Sequence, residues 1–90
     1  MKYVSIHISG KVQGVYFRAS AKAKADELNL TGFVRNEKDG SVYIEAEGES
    51  ENMNKFVAWC HQGPANAEVQ KVVVNEGIIR HFHKFEIKHW

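Results

Sequence analysis

Residues 10–18 read Gly-Lys-Val-Gln-Gly-Val-Tyr-Phe-Arg, and they separate an alternating strand pattern from an alanine-rich helical pattern that begins near Tyr16. Glycine at both ends of this loop permits backbone conformations in which successive N–H groups point into one concavity. The start of the helix adds unpaired N–H groups, and Arg18 adds a planar set of donors for two oxygens. The stretch therefore fits a small oxyanion cradle. It also fits an ordinary strand-to-helix turn with a solvated arginine.

The first half of the chain predicts a strand, a helix and a β-hairpin around this loop. Apolar and polar residues alternate from Val4 to Ile8, which is typical of a half-buried strand. Apolar residues then recur on one helix face from Phe17 to Leu28. Strands are predicted over about 31–36 and 42–47, and Asp39-Gly40 between them supplies the positive-φ residue of a hairpin connection.

The second half predicts one helix and two more strands. Ser50 is a suitable N-cap, and a buried helical stripe follows it, made of Met53, Phe56, Val57 and Cys60. Gly63-Pro64 indicates that the helix has ended. A fourth strand is predicted over about 68–75. A fifth is predicted over about 84–88, with Phe85 and Ile87 facing inward.

This order of elements predicts a single α+β domain over residues 1–90 with the ferredoxin-like split β-α-β arrangement. Each strand-helix-strand unit leaves room for another strand between its two parallel strands. Two helices should therefore cover one face of an antiparallel sheet whose core strand order is 4-1-3-2. The pattern leaves open which edge the short fifth strand joins.

Composition narrows the class of protein. The 90 residues carry a formal net charge of +1 that is spread along the chain, so charge favours neither nucleic acid nor an anionic membrane as partner. The apolar runs are too short to span a bilayer. The lone Cys60 and the absence of a signal-peptide pattern lead us to expect a cytoplasmic protein, and nothing in the sequence demands more than a monomer.

Two blocks of sequence resemble the two signatures of the acylphosphatase family. The first is residues 10–18, and the second is Gly32-Phe33-Val34-Arg35-Asn36 followed by Asp39-Gly40-Ser41-Val42. They occur in the family's order and at its spacing, and the match extends over essentially the whole chain. The resemblance implies an enzyme that hydrolyses the carboxyl–phosphate bond of acyl phosphates to a carboxylate and inorganic phosphate. It implies a small-molecule substrate, direct attack by water, and no metal or other cofactor.

The resemblance also implies roles for particular residues. The family's phosphate-binding arginine falls on Arg18, and its water-orienting asparagine falls on Asn36. The sequence departs from the family at Glu37, where relatives often have threonine. The implied phosphate-binding residues, mostly through their backbone amides, are Val12, Gln13, Gly14, Val15, Tyr16, Phe17 and Arg18.

Other reactive residues fit structural roles better than catalytic ones. Cys60 belongs to the buried stripe of the second helix rather than to the loop, so we expect a core residue and not a nucleophile. His81 and His83 share a face of an extended stretch but have no third ligand at suitable spacing, so we expect solvated side chains. His7 lies on the polar side of the first strand, where a structural hydrogen bond is expected.

Two other function classes remain open from the sequence. One is a non-catalytic acylphosphatase-like domain that binds a phosphate or carbamoyl-type ligand for a partner protein. The other is an RNA-binding module of the same fold, although the third strand lacks the aromatic residues such modules need. That strand instead carries Glu45 and Glu47 on one face, which we expect to be solvated. Hydrolysis of benzoyl phosphate would separate the enzyme from both alternatives.

Overall fold

The computed structural model describes residues 1–89 as two helices packed on a five-stranded sheet. Position 90 of the predicted domain lies outside the described residues. Among the residues that are described, no helix has the length and apolar character needed to cross a membrane. In chain order the elements are β1 (Lys2–Lys11), α1 (Phe17–Glu27), β2 (Thr31–Asn36), β3 (Val42–Gly48), α2 (Ser50–Cys60), β4 (Glu68–Gly77) and β5 (Phe85–Lys88).

The sheet has the strand order β4-β1-β3-β2-β5, which confirms the predicted 4-1-3-2 core. The last strand joins the β2 edge. It runs parallel to β2, so the sheet is mixed and not wholly antiparallel as predicted. The reason is the path of the chain. Because β4 runs antiparallel to β1, it ends at the end of the sheet where β2 begins. The segment after β4 crosses to the opposite edge there, so β5 starts beside the start of β2 and runs in the same direction.

Strand register assigns one face of the sheet to the core. Ile6 pairs with Ile44, and Val34 pairs with Ile44 from the other side, so their side chains share the face that the helices cover. The helices contribute the predicted stripes, with Val57 only partly buried. From α1 the buried residues are Phe17, Ala21 and Ala25, and from α2 they are Met53, Phe56 and Cys60.

The prediction that Glu45 and Glu47 lie on a solvated face is wrong. Their side chains do lie on the face away from the helices, but both residues are buried, with 7% and 2% of their surface exposed. The segment after β4 covers them. The Glu47 carboxylate accepts hydrogen bonds from the backbone N–H groups of Arg80, His81 and Phe82. Residues on both faces of β3 are therefore buried.

The prediction that Ser50 is an N-cap is also wrong by one position. Helix α2 begins at Ser50, and the N-cap is Glu49, whose side chain makes no capping hydrogen bond. Glu49 keeps an extended backbone, with φ −67° and ψ 143°, so helical geometry starts only after it. At the other end of this half of the chain, β4 continues to Gly77 instead of ending at Asn75.

Strand β1 continues through Gly10 to Lys11, so it extends into the 10–18 stretch that the sequence pattern assigns to the loop. The pairing with β4 shifts between Ser9 and Gly10, as in a β-bulge. Gly10 has a φ of 124°, and a Cβ at this position would collide with the carbonyl oxygen of Glu68. Glycine is therefore required here by the close approach of β4, just where the strand passes into the loop.

We predict that Glu47→Gln destabilises the protein. A glutamine side chain has one acceptor oxygen where the carboxylate has two, and its NH2 group would face backbone donors. Each buried donor left unpaired costs about 1–3 kcal/mol, so the free energy of unfolding should fall by about 2 kcal/mol. Urea denaturation would measure it, with the exposed Glu49→Gln as the matched control. Equal midpoints for the two variants would contradict the anchoring role of Glu47.

Candidate active site

A cleft of about 570 Å³ opens where β1, β2 and β5 end and helix α1 begins. It contains both residues on which the sequence prediction concentrated, Arg18 and Asn36. They come from separate elements, α1 and β2. They line one cleft because α1 begins and β2 ends at the same end of the sheet. The cleft is lined by Val12, Gly14, Tyr16, Phe17, Arg18, Ala19, Asn36, Ile87 and His89.

The loop between β1 and α1 forms one wall of the cleft. Gly14 and Tyr16 both have left-handed backbones, with φ of 74° and 63°. The N–H of Ser20 donates to the Tyr16 carbonyl at 3.0 Å, so the amides of the first helical turn have no partner within the helix. No acidic residue lies in that turn. This geometry suits an anion, which the loop amides and the positive end of the helix dipole would attract together.

The predicted loop residues divide into two groups in the structure. Five of them line the cleft, namely Val12, Gly14, Tyr16, Phe17 and Arg18. Gln13 and Val15 do not. Val15 is 6% exposed and belongs to the hydrophobic core, and the side chain of Gln13 donates to carbonyl groups of the β2–β3 turn.

Arg18 stands in the first turn of α1 and is partly exposed. One guanidinium nitrogen, Nη1, donates to Nδ1 of His89 at 3.1 Å. A guanidinium carries five N–H donors, and among residues 1–89 the remaining donors of Arg18 make no other hydrogen bond, so they can bind an anion. Lys88 and His89 join Arg18 and Asn36 around a smaller hollow of about 150 Å³. Among the described residues, those lining the cleft and this hollow include no carboxylate, so positive charge dominates there.

Asn36 is the last residue of β2, and its position follows from the strand register. It pairs with Val42, two residues from the pairing of Val34 with Ile44. Side chains alternate along a strand, so Asn36 shares the helix-covered face with Val34. This places it on the same side of the sheet as Arg18.

The turn that follows Asn36 is held by side-chain hydrogen bonds. Asp39 Oδ1 accepts from the backbone N–H of Ser41 at 2.9 Å and from its hydroxyl at 2.5 Å. These two bonds lower the pKa of the Asp39 carboxyl. Nε2 of His7 lies 2.6 Å from the same hydroxyl, which confirms the structural hydrogen bond expected of this histidine.

The other residues that we expected to be structural do not line the cleft. Cys60 is fully buried in α2, and burial raises the pKa of its thiol, which disfavours the reactive thiolate. His81 and His83 are exposed as expected, but His81 has a φ of 61°, so the stretch is not regularly extended. Across residues 1–89 there is no group of three or more His, Cys, Asp or Glu side chains placed to hold a metal ion.

Strand β5 contributes residues that the sequence did not identify as part of a site. Its parallel pairing sets Ile87 beside Val34 and Lys88 beside Arg35, which brings the end of β5 to the cleft. Ile87 was predicted to face inward. It lies on the helix side but is 36% exposed, because it belongs to an edge strand at the cleft mouth. No local sequence pattern marks these residues, since only the pairing of β5 with β2 places them.

Comparison with known proteins gives a consistent assignment. The family model described as Acylphosphatase matches residues 4–87. An acylphosphatase of Methylococcus capsulatus is 50% identical over 76 residues, which cover 84% of this chain and 83% of the relative. The crystal structure of acylphosphatase from Bacillus subtilis matches with a TM-score of 0.95 at 35% identity, over 98% of this chain and 99% of that chain. Full-length HypF in its phosphate- and nucleotide-bound form matches with a TM-score of 0.87 at 29% identity, over 97% of this chain but 12% of that chain. The chain belongs to the acylphosphatase family.

Proposed function

We propose that this acylphosphatase hydrolyses acyl phosphates by direct attack of an oriented water molecule on a bound phosphoryl group. The family gives the reaction, in which the carboxyl–phosphate bond is split into a carboxylate and inorganic phosphate. One observation carries the proposed mechanism. Arg18 and Asn36 line one cleft together with the loop that leads into α1, where unpaired backbone amides begin the helix.

In this mechanism Arg18 and the loop amides bind the phosphoryl oxygens. Phosphoryl transfer depends mainly on positioning and on stabilising charge spread over the equatorial oxygens. A guanidinium fork and backbone N–H groups supply both, and they need no reorganisation during the reaction. The contributing amides are those of residues 12–18, with Gln13 and Val15 acting through the backbone alone.

Asn36 orients the attacking water. Its carboxamide oxygen accepts a hydrogen bond from the water but is too weak a base to remove the proton at neutral pH. The water oxygen forms the new bond to phosphorus as the acyl oxygen leaves with the electron pair of the broken bond. The water proton passes to a phosphoryl oxygen. The departing carboxylate is a weak base, so its departure needs no acid from the protein.

A non-catalytic phosphate-binding domain is the second candidate, and the observation behind it is the likeness to part of HypF, a protein solved in a phosphate- and nucleotide-bound form. The presence of both Arg18 and Asn36 in one cleft supports the enzyme instead. An RNA-binding role gains no support, because Tyr3 and Phe33 on the outer face are buried. Arg80 stacks over the ring of Tyr3, and Phe82 packs edge-on against Phe33, so bases have no open platform. Release of benzoate from benzoyl phosphate decides between enzyme and binding domain.

The setting of the enzyme is also part of this proposal. We infer a single-domain monomer that acts in the cytoplasm on a small-molecule substrate, without nucleic acid or membrane as partner. The family match over residues 4–87 supports one domain. Cys60, the one cysteine of the chain, is a buried free thiol, as expected in a reducing compartment.

Arg18 and Asn36 should fail in different ways. Arg18→Gln should weaken phosphate binding and also lower kcat, because the guanidinium holds the phosphoryl group in both ground and transition states. Asn36→Ala should lower kcat by about 10²–10³-fold, the usual effect of one lost polar contact in an active site, with KM little changed. Steady-state kinetics with benzoyl phosphate measure both effects. Asn75→Ala, at an exposed position of the edge strand β4, is the matched control.

The assignment of Asn36 fails if folded Asn36→Ala keeps near-normal turnover. It also fails if this variant loses phosphate binding as severely as Arg18→Gln does. Circular dichroism of each variant should first show a native fold.

Inorganic phosphate should bind the cradle and raise the melting temperature. A ligand at about 100 times its dissociation constant adds about 2.7 kcal/mol to stability. Differential scanning calorimetry should show the rise in the wild type and in Arg80→Gln, whose arginine lies on the outer face beside Glu45. The rise should vanish in Arg18→Gln. An equal rise in all three proteins would place the anion elsewhere.

Hydrolysis should persist after exhaustive chelation, because Arg18 and the loop amides supply the positive charge that a metal ion would otherwise provide. The test compares benzoyl phosphate turnover before and after dialysis against EDTA and 1,10-phenanthroline. A loss of activity that Mg²⁺ or Zn²⁺ restores would show that the mechanism is incomplete.

A further inference from the structure

The side chain of Gln13 joins the loop of residues 12–16 between β1 and α1, the phosphate loop, to the turn between β2 and β3. Its Nε2 donates to the carbonyl oxygen of Glu37 at 2.7 Å and to that of Ser41 at 2.9 Å. Glu37 and Ser41 are the two ends of the β2–β3 turn, and the N–H of Glu37 donates to Ser41 O at 2.8 Å. Both hydrogens of the Gln13 side-chain amide are thus donated to the turn that begins directly after Asn36.

The loop itself has other anchors. Val12 and Val15, on either side of Gln13, are 1% and 6% exposed and belong to the hydrophobic core. Phe17, at the start of α1, is buried as well. Apolar burial therefore fixes the path of the loop whether or not the Gln13 side chain makes its hydrogen bonds.

The turn lacks anchors of that kind. None of residues 36–40 is buried, and no apolar side chain occurs among them. The turn is held at its Ser41 end, where Ser41 donates to the Asp39 carboxylate, the hydroxyl of Ser41 bonds to the His7 ring, and the Ser41 carbonyl accepts from Gln13. Gln13 alone ties it to the phosphate loop among the described residues. Its bonds use backbone carbonyls, so they do not depend on the side chain at position 37, where family members often carry threonine.

We propose that Gln13 is a positioning residue that acts through Asn36. By clamping Glu37 and Ser41 to the loop, it sets the distance between the water-orienting carboxamide and the phosphoryl group held by Arg18. The proposal rests on the proposed function, in which Asn36 holds the attacking water. The side chain of Gln13 does not line the cleft, so it has no contact with substrate in this scheme.

The test begins with Gln13→Met, which keeps the length of the side chain and removes its donors. We expect kcat for benzoyl phosphate to fall about ten- to a hundredfold, the range for a misplaced reacting group. KM and the dissociation constant of inorganic phosphate should stay within about twofold, because the loop keeps its apolar anchors. Gln62→Met, at an exposed glutamine after α2, is the matched control and should behave as wild type.

A double-mutant cycle then identifies the residue through which Gln13 acts. In the Asn36→Ala background, Gln13→Met should change kcat by no more than about twofold, since the group it positions is gone. Multiplicative losses would overturn the proposal. A weakening of phosphate binding in Gln13→Met as large as its loss of kcat would also overturn it, because Gln13 would then be supporting the loop.

Two further measurements keep the proposal testable if Gln13→Met folds poorly. Gln13→Asn keeps the amide but withdraws it by one methylene, so it should lower kcat in the same way. Amide hydrogen exchange at Glu37 should speed up in either variant while exchange at Ile6, in the centre of β1, stays unchanged. Unchanged exchange at Glu37 would show that the clamp does not hold the turn.

The outcomes separate this inference from the proposed function. If the wild type does not hydrolyse benzoyl phosphate, the proposed function fails, and exchange at Glu37 still reports on the clamp. If Asn36→Ala keeps its turnover, the role of Asn36 fails and the positioning role fails with it. If Asn36→Ala is impaired but folded Gln13→Met and Gln13→Asn are not, only the inference about Gln13 is wrong.

Discussion

The antiparallel register that sets Ile44 between Ile6 and Val34 is the constraint on which the rest of the structure depends. It brings the apolar faces of the central strands together under the helices. Because side chains alternate between faces, the same register places Asn36 on the helix side, where Arg18 begins α1. A shift of one residue between β2 and β3 would move Asn36 to the outer face. Core packing and site geometry are therefore set by one choice of pairing.

Local patterns were enough to predict the core but not what covers the other face of the sheet. The alternation from Val4 to Ile8 and the stripe from Met53 to Cys60 predict burial through their own periods, and the structure agrees with both except that Val57 is only partly buried. Alternation also shows that Glu45 and Glu47 share a face. It does not show what packs there. Glu47 is covered by backbone N–H groups far along the chain, and Glu45 lies beside the side chain of Arg80, in a segment without any period.

The residues of the site also divide into those that the sequence identifies and those that only the fold brings together. Arg18 and Asn36 were named from a family resemblance, and both line the cleft. Gln13 was named for its backbone amide, whereas its side chain joins residues 24 positions apart through ordinary amide–carbonyl bonds. His89 meets Arg18 across 71 positions. Such contacts involve common residue types and arise only from tertiary structure, so no local signal in the sequence announces them.

The pairing of β1 with β4 sets Tyr3 opposite Gly77, so these two strands can pair only when a segment that spans most of the chain closes into a loop. Closing so long a loop costs entropy before the contacts that reward it can form. A protein of this topology should therefore fold more slowly than a helical bundle of the same length. The cleft needs the ends of β1, β2 and β5 together. Ligand binding thus becomes available as a late event in folding rather than a property of any early local fragment.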